Sequence, residues 1–533
     1  MRPMAYSLTQ NYLAAITIIV VTLSLPHNSV ADWRNHGADI SNTRSAEDWQ
    51  INRNTVSGLS LRWKFFAGKD ISATPAVADG AVYFPSWNGF LYAVNAFTGD
   101  LFWRQNLSEI TGLQGTGLTV NVTVSRSTPT VAGNLLIVPI YGPAVVIAVT
   151  RWIGRLVWLT MIDPRPITVI TTSGTAFRGA FYVGVSSLEE TLPPSECCNF
   201  RGSLVRLDIS SGAIQWQTYT VPENGGKLGG YSGGAIWGSS PAIDPRRQLV
   251  YVATGNLYTA PPNVTECQER QNNETTTPAS PDQCIGPDVN FNSIIAFDIR
   301  SGRIRWARQL GGYDVWYFAC LVPNNPDCPP GPNLDADFGE APMLLSISYN
   351  GRRRDVAVAV QKSGYAWALD RDNGDIVWFR LAGPGGEEGG GQWGAATDGR
   401  RVYTNIVNSN RVSFKLAPSN QTSTAGAWVA LDTNSGEILW TTANPGNDTT
   451  QAPVSVANDV VFVGSVAPNG PIYAMDARTG KILWSYNTGA TVYGGISVSY
   501  GCIYVGNGYT VSLGAAFHPT WTPGTSVFAF CLG

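Results

Sequence analysis

Histidine is nearly missing from this 533-residue chain, which has only His27, His36 and His518. A Ser-His-Asp hydrolase triad, a multi-histidine copper centre or a histidine-based zinc site therefore has almost nothing to be built from. Charge is scarce too: Asp, Glu, Lys and Arg make up 14%, the net charge is -3, and no run of Lys and Arg is longer than three residues. That excludes a nucleic-acid footprint, which needs a basic face. The eight cysteines contain no Cys-x-x-Cys and no Cys-x-x-Cys-His, so neither a zinc ribbon nor a covalent haem attachment is encoded. Chemistry in this protein must rest on carboxylates, lysine or a cofactor.

What the chain has in plenty is Gly (57) and Trp (18), and the two recur together. The pattern A-x-D-x-x-x-G-x-x-x-W occurs in Ala296 to Trp306, Ala368 to Trp378, Ala430 to Trp440 and Ala474 to Trp484. Variants occupy Ala93 to Trp103, with Asn95 for the Asp, Val205 to Trp216, read with one extra residue, and a degraded Ala148 to Trp158. Each copy describes an apolar strand, a Gly corner with φ > 0 and a second strand running to a Trp. With Trp63, the terminal tryptophans stand at 63, 103, 158, 216, 306, 378, 440 and 484, which is eight. These counts predict an all-β, eight-bladed β-propeller with tryptophan-docking repeats. Leu61 to Phe65 lacks a preceding half and Val527 to Phe530 lacks a following one, so the two termini are expected to pair and close the ring. The longest interval, Trp216 to Trp306, requires long loops, where function usually resides.

The apolar stretch Tyr12 to Leu25, followed by Ser29-Val30-Ala31, reads as a secretory signal peptide over residues 1–31, with residues 32–533 forming one propeller domain. No later segment reads as a membrane span. Sequons at Asn106, Asn121, Asn263, Asn273, Asn420 and Asn447 point to an N-glycosylated, secreted protein of a eukaryotic secretory route. In an oxidising compartment the cysteines pair as Cys197 with Cys198, Cys267 with Cys284, Cys320 with Cys328 and Cys502 with Cys531.

The stretch Asn35-His36-Gly37-Ala38-Asp39-Ile40-Ser41-Asn42-Thr43-Arg44 resembles the leading segment of the quinoprotein alcohol dehydrogenases, which are eight-bladed propellers holding pyrroloquinoline quinone (PQQ) and calcium. Cys197 to Ser203 and Gly229 to Gly238 resemble the polyvinyl-alcohol-dehydrogenase-like branch. The resemblance implies residue roles along the chain. Ser186 and Ser187 would touch the quinone and Glu189 would bind calcium, with Glu190 as the alternative one residue on. Trp237 would carry the quinone ring, since a flat aromatic face stacks a planar cofactor. Asn256 would supply a neutral oxygen to calcium. Asp335 or Asp337, in Asp335-Ala336-Asp337, would be the catalytic base, with Asp335 also a metal ligand and Asp314 as the runner-up. Lys362 would contact the quinone oxygens. Cys197 and Cys198 would form a vicinal ring near the cofactor, because an eight-membered disulfide ring is rare and strained. Gly494-Gly495 and the Gly389 to Gly394 loop would line the same cavity.

These residues imply a secreted, PQQ- and calcium-dependent dehydrogenase that oxidises a primary or secondary alcohol, small or polymeric, and hands electrons to an external acceptor. The alternative is a non-catalytic secreted propeller that binds a glycan, a wall polymer or a protein.

Overall fold

A computed structural model describes residues 32–115, 120–238, 240–270 and 282–533. The expected leader over residues 1–31 and the sequon at Asn273 lie outside the described residues. Among the described residues, eight sheets built on four antiparallel strands follow one another around an axis, and two of them carry a short fifth strand. Blade 1 consists of Ala76–Ala78, Ala81–Pro85, Phe90–Asn95 and Leu101–Asn106, and blades 2 to 7 repeat this order along the chain. Blade 8 is assembled from both ends: Ser497–Ser499, Cys502–Gly506 and Ser526–Cys531 take Ser60–Phe66 as their fourth strand, with Leu61 opposite Phe530. Cys502 and Cys531 face each other across neighbouring strands of that blade and are disulfide-bonded. The other three cysteine pairs are also those expected.

The repeat has a physical reason at each position. Its Ala and Trp are cross-strand neighbours, as in Ala93 with Trp103 and Ala296 with Trp306, and a bulge follows immediately. The Asp closes the turn: Asp298 Oδ1 accepts the N–H groups of Arg300 at 3.0 Å and Ser301 at 2.9 Å. Gly302 then turns at φ +70°, and a Cβ there would lie 2.7 Å from the Trp216 ring of the preceding blade. Glycine is thus required both for the corner and for the contact. Trp216 Nε1 in turn donates to Ile299 O at 3.3 Å, so each tryptophan docks on the next blade's turn. The docking continues through the closure, where Trp484 Nε1 donates to Leu59 O at 3.0 Å. One reading of the sequence is corrected by the register. Trp216 lies opposite Arg206, so the third-blade copy runs regularly from Arg206 and carries no extra residue.

The leading segment rings the axis. Trp33 exchanges backbone hydrogen bonds with Val77 of blade 1, and the carbonyls of Arg34, Ile40, Ser41, Thr43 and Arg44 accept from Val131, Ile243, Leu344, Thr397 and Val456. One short stretch therefore ties the innermost strands of six blades. Arg44 is fully buried there, with its guanidinium on the carbonyls of Val454 and His36. The long interblade loops lie at the ends of the strands and surround a large cavity.

Candidate active site

The cavity has a volume of about 340 Å³. Its deep wall is supplied by strand ends and loops of blades 3 to 5. Ser186 and Ser187 end the strand Ala180–Ser187, Trp237 and Asn256 flank the strands of blade 4, Asp335 and Asp337 precede blade 5, and Lys362 follows the strand Arg352–Val360. Separated by up to 176 positions in sequence, all seven line one cavity.

Lys362 is the electrostatic centre. Its Nζ lies 2.9 Å from both oxygens of Asp335, 3.6 Å from Asp337 Oδ2, and 5.2 Å from the centroid of the Trp237 ring. Burial pulls the ammonium towards neutrality, but Asp335 and Asp337 outweigh it, so Lys362 is held above its ordinary value and stays charged. Asp335 is pushed well above the usual carboxylate range by burial, against the pull of Lys362. Its backbone has φ +48°, a conformation that costs a non-glycine residue about 1–3 kcal/mol and that the surroundings must impose.

Asp314 imposes it. This fully buried carboxylate accepts the N–H groups of Leu334 at 2.9 Å, Asp335 at 3.0 Å and Ala336 at 2.7 Å, together with the Asn292 amide at 2.8 Å. Burial pushes its pKa up to about 6 against the hydrogen bonds from Asn292 and Ala336. Asp314 is thus directed into the loop that presents Asp335. Asp337 is fixed differently, Oδ2 accepting from Trp237 Nε1 at 2.7 Å and Oδ1 from the Asn256 backbone N–H. It locks the indole that forms part of the wall. Asn256 spends its amide nitrogen on the carbonyls of Leu257 and Trp316, at 2.8 and 2.7 Å, which directs its role in the cavity to Oδ1.

Two expectations are corrected. Glu189 does not face the cavity: its carboxylate accepts the N–H groups of Asn199 at 2.9 Å and Phe200 at 2.7 Å and ties down its own loop. A 3-10 turn over Glu189–Thr191 rotates the next side chain inward instead, so Glu190 lines the cavity. Burial, then the Asp337 charge, push the Glu190 carboxyl up to about 8 against the pull of Lys362. The Cys197–Cys198 disulfide does not line the cavity either; it is buried behind it in an apolar cluster with Phe200, Ala235, Tyr258 and Tyr317. The loop after Glu189 turns the pair into the core.

Several residues of the opposite wall carried no signal in the sequence. Arg126 lies over the Trp393 ring at 4.3 Å, and its guanidinium donates to Tyr509 Oη at 3.2 Å and Tyr493 Oη at 3.4 Å. A buried cation there meets rings and hydroxyls rather than a carboxylate, which suits an anionic ligand. Trp393 sits edge-on to Trp237 at 5.1 Å. Of the glycine loops, the Gly389 to Gly394 stretch sends Gln392 and Trp393 to the cavity, while Gly495 lines a small void beneath it with His36 and Thr74.

The residues suit a planar, anionic, oxygen-rich ligand with a hard cation beside it. Trp237 offers a flat face, Arg126 a cation, and Trp316 a buried indole N–H without an acceptor among the described residues. Glu190, Asn256, Asp335 and Asp337 offer oxygen donors of the kind calcium takes. Among the described residues no three acidic, Cys or His side chains are already gathered as a finished metal cage. Asp335 is held instead by Lys362.

Comparison with known proteins agrees with this geometry. Residues 46–380 and 424–514 match the family described as outer membrane protein assembly factor BamB. The polyvinylalcohol dehydrogenase of a Pseudomonas species is 30% identical over 515 residues, covering 90% of this chain and 73% of that protein. The corresponding enzyme of Sphingopyxis is 28% identical, covering 90% and 72%. Among solved structures, the quinohemoprotein alcohol dehydrogenase of Comamonas testosteroni superposes with a TM-score of 0.70 at 20% identity, covering 94% of this chain and 81% of that one. A likeness at that identity speaks for the fold.

Proposed function

The chain belongs to the PQQ-dependent quinoprotein alcohol dehydrogenase family and is an oxidoreductase of that class; from this premise we propose that it oxidises a primary or secondary alcohol at the Trp237 cavity, with PQQ as electron acceptor and calcium beside it. The single observation that carries the reading is the placement of Asp335, buried and ion-paired at 2.9 Å to Lys362, on a cavity shared with Trp237.

When bound, PQQ would supply a two-electron hydride acceptor and calcium would supply Lewis acidity. Glu190, Asn256 and Asp337 would hold the metal, Trp237 the ring, and Arg126 a carboxylate of the quinone. Asp335 takes the hydroxyl proton at a carboxylate oxygen, and burial makes it a stronger base than a solvated aspartate. Lys362 keeps that carboxylate oriented and places positive charge where negative charge develops. Asp337 holds Trp237 in place, and Asp314 holds the Asp335 loop. Val169, Leu188 and Phe318 keep water from the reacting atoms. An external acceptor would then remove the electrons.

Secretion, removal of residues 1–31 and N-glycosylation are part of the same proposal, supported by the four disulfides and by the exposed sequon asparagines Asn121, Asn263, Asn420 and Asn447. The deciding test is reconstitution with PQQ and calcium, followed by absorbance of bound quinone and dye-linked alcohol oxidation. Asp335→Asn is expected to retain the quinone band and lose turnover by about 10² or more. Failure of the wild-type protein to bind quinone would leave the binding-scaffold reading in its place.

A further inference from the structure

The mouth of the cavity is crossed by one segment, Gly508 to Gly524, which leaves blade 8 after Cys502–Gly506 and returns to it at Ser526–Cys531. Both ends are fixed to one carboxylate. Asp70 Oδ1 accepts the Gly524 N–H at 2.6 Å, and Oδ2 accepts the Thr510 N–H and hydroxyl at 3.2 Å each. Asp70 is buried, and a Cβ at Gly508 would lie 2.0 Å from its Oδ1, so the root is tight.

The far end is held otherwise. The short helix Leu513–Phe517 and the residues after it reach across the ring to loops of blades 4 to 6. His518 Nε2 lies 2.9 Å from Glu388 Oε1, in the loop between blades 5 and 6, and the imidazole is stacked on Trp521 at 3.7 Å. Phe517 meets Phe318 edge-on at 5.2 Å, beside the Cys320–Cys328 loop. Ser512 Oγ lies 3.0 Å from Tyr141 Oη on a third side. Leu513, Gly514 and His518 face the cavity, while Phe517 is 41% and Leu321 38% exposed at its rim. A strand pair, a disulfide or a buried ion pair would make a permanent seam. Here the far seam has one part-buried His–Glu contact, one ring edge and one hydroxyl pair, while Val511, Leu513 and Trp521 pack on the apolar wall and Thr522, nearer the root, bonds to Thr491 and Pro468.

We propose that Gly508 to Gly524 is a flap hinged at Asp70, and that His518–Glu388 and Phe517–Phe318 form its latch, which sets how large an alcohol can be while part of it remains outside the cavity. The proposal rests on the reading of the cavity as the alcohol site. With the latch closed, a small alcohol fits inside; one whose chain must pass the mouth has to displace Phe517 and part His518 from Glu388. The four latch residues are thereby determinants of specificity, separate from Asp335 and Lys362.

Two measurements test it on the reconstituted full-length protein, comparing wild type with Glu388→Gln and Phe517→Ala. The first is amide hydrogen exchange, which should quicken over residues 511–522 in both variants and stay unchanged over Ser60–Phe66. The second is a kinetic comparison of a two- or three-carbon alcohol with an oligomer of vinyl alcohol. For the oligomer, KM should fall by about tenfold in Phe517→Ala, and kcat for the small alcohol should hold within about twofold. Unchanged exchange over 511–522, or equal changes for the small and the oligomeric alcohol, would overturn the flap. A wild-type protein that oxidises no alcohol but shows the exchange response would refute the assignment of the substrate while leaving the flap in place.

Discussion

Asp314→Asn separates the residue that reacts from the residue that positions it. The carboxylate gathers four donors: the Leu334 and Asp335 N–H groups on Oδ1, and the Ala336 N–H and the Asn292 amide on Oδ2. An asparagine keeps the shape but turns one oxygen into an NH2 group, so one pair of donors faces a donor. Hydrogen bonds to a charged group contribute about 1.5–3 kcal/mol each, and relief of the buried charge offsets part of the loss. A net cost of about 3 kcal/mol follows, concentrated on the loop that forces Asp335 to φ +48°. That loop can relax by moving Asp335 away from Lys362, and a displacement of about 1 Å at a reacting group costs about 10²-fold in rate. Turnover of the reconstituted protein should therefore fall by about 10², and quinone affinity by much less, because the Asp337–Trp237 bond lies outside the loop's direct hold. Single-turnover kinetics and quinone titration read the two separately. Wild-type turnover in this variant would refute the positioning argument, and so would a loss equal to that of Asp335→Asn with an unaltered pH profile.

Arg126→Met should loosen quinone binding about 10- to 100-fold, the equivalent of one charge-assisted hydrogen bond of about 1.5–3 kcal/mol, with the calcium requirement unchanged; unaltered affinity in a quinone titration would remove Arg126 from the site. Serine at both Cys502 and Cys531 opens a loop of 29 residues, and the chain-entropy account gives a loss of about 3–4 kcal/mol; a denaturant midpoint equal to that of wild type would mean that strand pairing alone closes the ring. Burial raises Glu340 to about 8 in the folded chain from an ordinary value near 4.5. A carboxyl raised on folding gives stability that is full below about pH 4.5 and is lost as pH rises towards 8, at most about 5 kcal/mol. Glu340→Gln should flatten that slope in urea melts between pH 5 and 8, and parallel wild-type and variant curves would contradict it.

The blades were legible in the sequence because their determinants are local. Asp298, Gly302 and Trp306 act within one hairpin and one docking contact, and the same spacing recurs around the ring. Trp237, Asn256, Asp335 and Lys362 were legible through motifs at strand ends, where each blade brings its loop to a common mouth. Orientation just past a strand end was not. Whether Glu189 or Glu190 faces inward depends on a 3-10 turn of three residues, for which two adjacent glutamates are equivalent signals. The vicinal cysteines were misplaced for a related reason, since the path of the loop behind Phe200 follows from packing against Tyr258 and Tyr317. Arg126 was invisible because its partners, Tyr493 and Tyr509, are 367 and 383 residues away and belong to no repeat.

The strand of chain that rings the axis has a bearing on how the protein comes into being. Trp33 to Arg44 emerge from the ribosome first among the described residues, yet Arg44 completes its bonds only with Val454 and Val456. Contacts between groups separated by more than four hundred residues form slowly and late, because the loop they close must be brought together first. A nascent chain can therefore fold blades one by one while its hub stays unfinished. The pocket wall follows the same timetable, since Arg126 waits for Tyr493 and Tyr509. Completion of the pocket is accordingly an event of the finished chain, and a truncation from Val454 onward, which removes the last two blades, forfeits the Arg44 hub and the Arg126 wall together.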